Sequence, residues 1–204
     1  MSEITAGELS KILKEHKRWC DTDGEEGKLA NLSEASLNRA DLSYADLKGA
    51  SLSCASLSRA DLSRAVLSCA SLSCASLSRA DLSRAVLKGA NLSRADLSRA
   101  DLSYADLSRA NLIDANLSDA DLRKADLKGA NLSRAYLSRA DLSDADLSDA
   151  YLRKADLSGA DLSDAYLGCA DLSEVLGLNI EQLPEVKTLY KAKLDPELKK
   201  QVKD

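Results

Sequence analysis

The sequence predicts an all-β solenoid, a chain wound into a four-sided coil, and three observations predict it. Ala stands at every fifth residue from Ala30 to Ala170, and Leu at every fifth residue from Leu32 to Leu172, 29 times each without exception. That period suits neither ordinary element. Five residues turn an α-helix by about 500°, so successive leucines would drift by about 140° and no buried stripe would form. In a straight strand Ala and Leu two apart share a face, but an odd period sends the next pair to the other face. The chain therefore bends once per unit to keep both inward, and it becomes a coil. The internal duplications count its sides. Ser51–Leu67 recurs identically as Ser71–Leu87, an offset of 20. Lys48-Gly49-Ala50 recurs at Lys88 and at Lys128, steps of 40, and Tyr44 and Tyr104 sit in matching heptapeptides 60 apart. One duplication, Leu122–Leu127 with Leu152–Leu157, steps by 30. The others are multiples of four units, so four units per turn is the favoured reading.

The unit is A-[DNSVY]-L-x-x, as in Ala40-Asp41-Leu42-Ser43-Tyr44 and Ala95-Asp96-Leu97-Ser98-Arg99. On 29 consecutive copies of it the chain resembles the pentapeptide-repeat family. The resemblance implies a right-handed quadrilateral β-helix of about seven coils, with central Leu and preceding Ala inward and the other three residues outward. At about 4.8 Å per coil the rod would be roughly 30–35 Å long. Backbone groups pair between coils, and each buried Leu contributes about 2 kcal/mol.

Two segments outside the repeat complete the expected domains: residues 1–29 as an N-terminal helix and loop, 30–174 as the rod, and 175–204 as a C-terminal helical segment. Leu9, Ile12, Leu13 and Trp19 fall at helical spacing within Glu8–Cys20. Asp21–Gly27 reads as an acidic loop. After Leu172 the apolar pattern changes, predicting a short helix near Ile180–Lys191 with Pro184 in or near its first turn. Asp195-Pro196-Glu197 then starts a second helix. These segments are expected to cover the ends of the solenoid; a C-terminal dimerisation arm is the alternative.

Composition narrows the function. The 204 residues include no Phe, one Trp, one Met and one His, so the core is Leu and Ala and the commonest catalytic base is nearly absent. A net charge of −5 argues against direct binding of nucleic acid or an anionic membrane. No apolar run approaches the roughly 20 residues of a membrane span, and Met1–Ser10 has no signal-peptide pattern. Five Cys without a disulfide framework suit a reducing compartment, and the cytoplasm is the expected location. No Ser-His or Cys-His pairing and no phosphate loop is visible, and a filled rod is expected to offer no concave pocket. No catalytic residue, cofactor or metal site is expected.

Outward residues sort into columns of period 20. Asp41, Asp61, Asp81, Asp101, Asp121, Asp141 and Asp161 form an acidic column whose carboxylates, about 4.8 Å apart, are expected to raise one another's pKa values. Beside it run Arg39, Arg59, Arg79, Arg99 and Arg139, interrupted by Asp119. Residues 30–110 hold 8 acids and 10 bases, net +2, while residues 111–174 hold 13 acids and 7 bases, net −6. The candidate partner-binding acidic face is therefore Asp121, Asp141, Asp144, Asp149, Asp161 and Asp164. Tyr136, Tyr151 and Tyr166, stepping by 15 across three faces, are candidate aromatic contacts. Cys54 and Cys74 stack in one column with Cys69 a corner away, without C-x-x-C or Cys/His spacing; they read as small residues duplicated with their coils. Cys20 and Cys169 read as solitary.

The leading reading is a non-catalytic structural or interaction protein with an unidentified protein partner. The alternative that the resemblance implies is a DNA mimic that binds DNA gyrase, inhibiting it or protecting it from quinolones. A second alternative is an engineered or consensus-like scaffold, since all 58 inward positions conform. The protein is expected as a monomer, or as a dimer joined end to end or through its C-terminal segment.

Overall fold

In a computed structural model of the chain, residues 2–183 and 186–202 are described. The order of elements is β1 (Ser2–Glu3), α1 (Ala6–Asp21), β2 (Ala35–Ser36), β3 (Asp171–Leu172), a 3-10 turn (Ile180–Gln182), β4 (Lys193–Leu194) and α2 (Pro196–Val202). Between β2 and β3 the chain is a solenoid joined by single-residue parallel bridges rather than long strands. One ladder runs Asn31, Ser51, Ser71, Asn91, Asn111, Asn131, Tyr151 and Asp171, each bridged to a residue 20 further on. Four five-residue units thus make one coil.

A single unit accounts for its backbone almost completely. Leu62 N–H donates to Asp81 O in the next coil (2.7 Å), Arg64 N–H to Ser83 O (2.9 Å), and Val66 N–H to Ala45 O in the preceding coil (2.9 Å). Ala65 N–H closes a four-residue turn onto Leu62 O at 3.0 Å. The amide left over is that of Ser63, and the Asp61 carboxylate accepts it at 2.9 Å. The same bond forms in every unit with Asp or Asn after Ala, as in Asp41–Ser43 (3.0 Å), Asn91–Ser93 (3.1 Å) and Asp141–Ser143 (3.0 Å). An Asp or Asn accepting the amide two residues on is an Asx turn. The preference for Asp and Asn at this position therefore satisfies the one donor that the coil leaves unpaired.

Each corner is a turn whose last outward residue is left-handed. Arg59, Arg64, Tyr104, Asp144 and Lys154 have φ of 59–61°, the matching non-Gly residues of the other units lie at 57–60°, and Gly49, Gly89, Gly129 and Gly159 lie at 64–70°. A non-Gly residue here costs about 1 kcal/mol, which burial of one Leu, worth about 2 kcal/mol, offsets. The inner leucines and alanines form one continuous core, with Leu47 through Leu157 at essentially zero exposure.

At the N-terminal end, Thr5 and Glu8 form a reciprocal capping box that starts α1. Leu9, Ile12 and Leu13 of α1, with Ile4, pack against the core, and β1 pairs in parallel with β2. The C-terminal end differs from expectation. Among the described residues of Ile180–Lys191 the 3-10 turn Ile180–Gln182 is the only helical element, and Pro184 lies outside the described residues. The last coil exposes a row of unpaired amides and carbonyls, and the chain returns to satisfy them. Leu167 N–H donates to Thr188 O (2.9 Å), Cys169 N–H to Tyr190 O (2.8 Å), Lys187 N–H to Ala165 O (2.9 Å) and Lys193 N–H to Ala170 O (2.8 Å). β3 and β4 pair in parallel, so this segment extends the coil before α2 begins at Pro196. A helix would have spent its amides on itself and left that row bare.

Candidate functional site

The surface is built from two kinds of outward residue with different freedoms. The residue after Ala is half-buried in most units and, when Asp or Asn, is tied to its own turn. The corner residue is exposed in most units and has no such duty.

Asp121, Asp141 and Asp161 lie on the ladder that begins at Asp41. Each carboxylate accepts the amide two residues on, from Arg123 (3.0 Å), Ser143 (3.0 Å) and Ser163 (2.9 Å). The expected mutual rise in pKa is corrected where a shift is resolved. Asp41 is held below the usual carboxylate range by hydrogen bonds from Ser43, and Asp121 by those from the Arg123 side chain. Local donors outweigh repulsion between exposed carboxylates in water.

Asp144 and Asp164 occupy the corner at the end of the same face. Lys187, on the returning C-terminal segment, places Nζ 3.2 Å from Asp144 and 3.8 Å from Asp164. Asp149 sits on the next corner, exposed and with no ion pair among the described residues; it borders a shallow hollow of about 370 Å³ with Lys88, Arg109, Asp126 and Lys128. Five of the six acids thus share one face, and Asp149 stands beside it. Within the wider acidic half, Arg134 grips Asp114 through two bonds of 2.6 and 2.7 Å, and Arg139 grips Asp119 through bonds of 2.7 and 2.9 Å. These guanidinium groups hold Asp114 and Asp119 below the usual carboxylate range. Asp119 therefore bridges the arginine column, with Arg99 3.6 Å away on its other side.

Tyr136 and Tyr151 are each 55% exposed and Tyr166 is 39% exposed, on three different sides of the coil. The Lys187 ammonium stands 5.0 Å from the Tyr166 ring centre. Lys187 is the neighbour of these candidate residues that the sequence does not reveal, because the two-residue shift between Tyr166 and Thr188 takes the return segment off the five-residue register.

Two features lie away from the acidic half. The expectation of no concavity is corrected at the N-terminal end, where α1 leaves a cleft of about 690 Å³ lined by Ile4, Ile12, Glu15, Lys28 and Leu29. A flanking helix packs on a rod along a line and leaves a gap beside it. Cys20 is not solitary: the ligand atoms of His16, Cys20 and Asp46 lie within 4.8 Å of one another. Such a trio suggests a metal, but the ring geometry opposes one. His16 Nδ1 accepts the Ala30 amide at 3.2 Å, so the neutral ring carries its proton on Nε2, which faces Cys20 Sγ at 3.6 Å. A histidine ligand normally donates from its second nitrogen. The trio acts as a polar latch between α1 and the first coils.

The latch makes a pH prediction. His16 is fully buried, and burial holds its pKa below the usual value, with the Asp46 charge opposing. The undocked helix then binds the proton more readily, so docking is full above about pH 6.5 and weakens as pH falls below it. Trp19, stacked 6.0 Å from His16, reports it. Its fluorescence melt should shift to lower temperature between pH 7.5 and 5, and His16→Gln should flatten that dependence. A wild-type melt unchanged across this range contradicts the latch.

The family described as pentapeptide repeats (8 copies) matches residues 30–68, 75–112, 90–129, 105–144 and 140–176. The chain is similar to HetL, a pentapeptide repeat protein involved in heterocyst differentiation regulation in the cyanobacterium Nostoc sp. strain PCC 7120. The identity is 41% over 80% of this chain and 74% of that one, with a TM-score of 0.59. It is also similar to a trypsin-treated form of QnrB1, a plasmid-mediated fluoroquinolone resistance protein, at 26% identity over 84% of this chain and 86% of that one, with a TM-score of 0.63. A comparison with curated proteins gives no match.

Proposed function

The chain belongs to the pentapeptide-repeat family, and from that premise we propose that it is a non-catalytic interaction protein: a rigid rod whose corner residues, in columns along its axis, are read by a protein partner. One observation carries this reading. Corner side chains are held outward by φ near +58° and vary freely among Arg, Asp, Lys, Tyr, Cys, Glu and Gly, while the inward positions do not vary at all. The acidic half supplies the proposed contact, through Asp144, Asp149 and Asp164 at corners, with Asp121, Asp141 and Asp161 lending charge from the turns. Tyr136, Tyr151 and Tyr166 supply apolar area at its border. In this reading the rod is the family's right-handed quadrilateral β-helix, α1 and the C-terminal segment cover its two ends, and no membrane is involved. No helix among the described residues is long and apolar enough to cross a membrane.

The second reading, a DNA mimic acting on gyrase, draws support from the likeness to QnrB1. The pairing of Asp114, Asp119, Asp144 and Asp164 with Arg134, Arg139 and Lys187 weighs against it, because a mimic of DNA phosphates needs unneutralised carboxylates. A supercoiling assay with purified gyrase, with and without a quinolone, separates the two. The interaction-rod reading expects no change in supercoiling up to tens of micromolar. Inhibition or rescue that disappears when Asp144, Asp149 and Asp164 are replaced by Ser would establish the mimic instead.

A further inference from the structure

We propose that Cys54 and Cys74 form a redox-modification site, closing a disulfide between consecutive coils when a hydroperoxide oxidises them. Both thiols are free and exposed. They occupy the same corner of neighbouring coils in register: Cys54 N–H donates to Ser73 O at 2.8 Å, and Ser51 bridges Ser71 in parallel. Their Cα atoms are therefore one coil spacing apart, about 4.8 Å, inside the range a disulfide spans. Both residues share the left-handed corner conformation, φ 58° and 57°, so their Cα–Cβ bonds run parallel and leave the Cβ atoms about 4.8 Å apart, a little beyond the roughly 3.5–4.5 Å of a disulfide.

The neighbouring corner measures the movement that closure needs. A Cβ placed at Gly89 would lie 3.7 Å from Cys69 Sγ, one coil away in the same relation. In a disulfide that separation is about 3 Å, so the exposed turn must close by about 0.7 Å. Desolvation raises the Cys54 thiol pKa and the neighbouring Cys74 thiol raises it further, which slows the first attack on the peroxide.

The chemistry balances with a peroxide as the oxidant. One thiolate attacks the peroxide oxygen, the O–O bond breaks, water leaves, and a sulfenic acid remains. The second thiolate attacks that sulfur, the S–O bond breaks, a second water leaves, and the S–S bond forms. Two thiols give up two electrons and two protons, and the peroxide is reduced to two waters.

The test uses the reduced full-length chain and hydrogen peroxide, with thiols counted after denaturation and the product digested with trypsin. Cleavage places Cys54 in the peptide 49–59 but Cys69 and Cys74 together in 65–79, so mapping is done in Cys69→Ser. Two thiols should be lost, peptides 49–59 and 65–79 should be linked within one chain, and dithiothreitol should reverse the link. The bridged form should melt several degrees above the reduced one. Cys54→Ser and Cys74→Ser should each abolish the link. Gly89→Cys in a Cys54→Ser background should create a new link to Cys69, because the column geometry is the same. Thiol loss without the 49–59 to 65–79 link overturns the proposal, and so does a product bridged between chains. Equal intramolecular bridging in Cys54→Ser does the same.

Discussion

Replacing Leu102 by Asp should unfold the middle of the rod. Leu102 has no exposed surface, and its amide donates to Asp121 O in the next coil at 2.7 Å. An Asp at this position would sit among alanines and leucines with no partner for a carboxyl group. Either it stays charged in an apolar interior, or it is protonated and still lacks a hydrogen bond. We expect a loss of at least about 4 kcal/mol, against about 2–5 kcal/mol for Leu102→Ala, which leaves only a cavity. Because each coil touches only its neighbours, the damage should stay local. Limited trypsin digestion should cut first at Arg99 and Arg109, and circular dichroism should show an earlier, broader melt. A melt matching the wild type, with both sites still protected, would show that Leu102 is not part of a continuous core.

Replacing Arg79 by Val should cost about 2 kcal/mol although the Arg79 side chain makes no hydrogen bond or ion pair among the described residues. Its φ is +58°, it is exposed, and it makes no ion pair among the described residues. A β-branched side chain is strongly disfavoured at positive φ. Arg79→Gly should be neutral or stabilising by up to about 1 kcal/mol, since relief of the left-handed strain offsets the added freedom of the unfolded chain. Chemical denaturation of the two variants side by side checks this. Equal stability of Val and Gly there would mean that the corner does not require a left-handed residue.

That requirement was written in the sequence in a form that composition does not reveal. None of the 29 corner positions holds Val, Ile or Thr, although Val66, Val86 and Ile113 occur elsewhere in the unit. The column Asp41–Asp161 was equally legible as a column and misjudged as chemistry. The spacing reveals that the carboxylates align, but only the hydrogen-bonding pattern reveals that each is occupied by its own turn. His16 and Asp46 meet across 30 residues of chain, and no local pattern connects them. The return of Lys187 to Asp144 had no periodic signal, because its cause lies in the last coil and not in the segment itself.

The sequence by itself determined the coil. A strict five-residue alternation of Ala and Leu leaves no helix or flat sheet able to bury both, and duplications in steps of 20 count four units to a turn. The tertiary structure alone decided how the ends close and which charges remain open. The last coil offers a row of unpaired amides and carbonyls, so residues 186–194 add another layer of coil where their own apolar spacing suggested a helix. Arg134 and Arg139 come within reach of Asp114 and Asp119 only once coils 20 residues apart lie about 4.8 Å from one another, and Lys187 reaches Asp144 and Asp164 only through the return of the C-terminal segment.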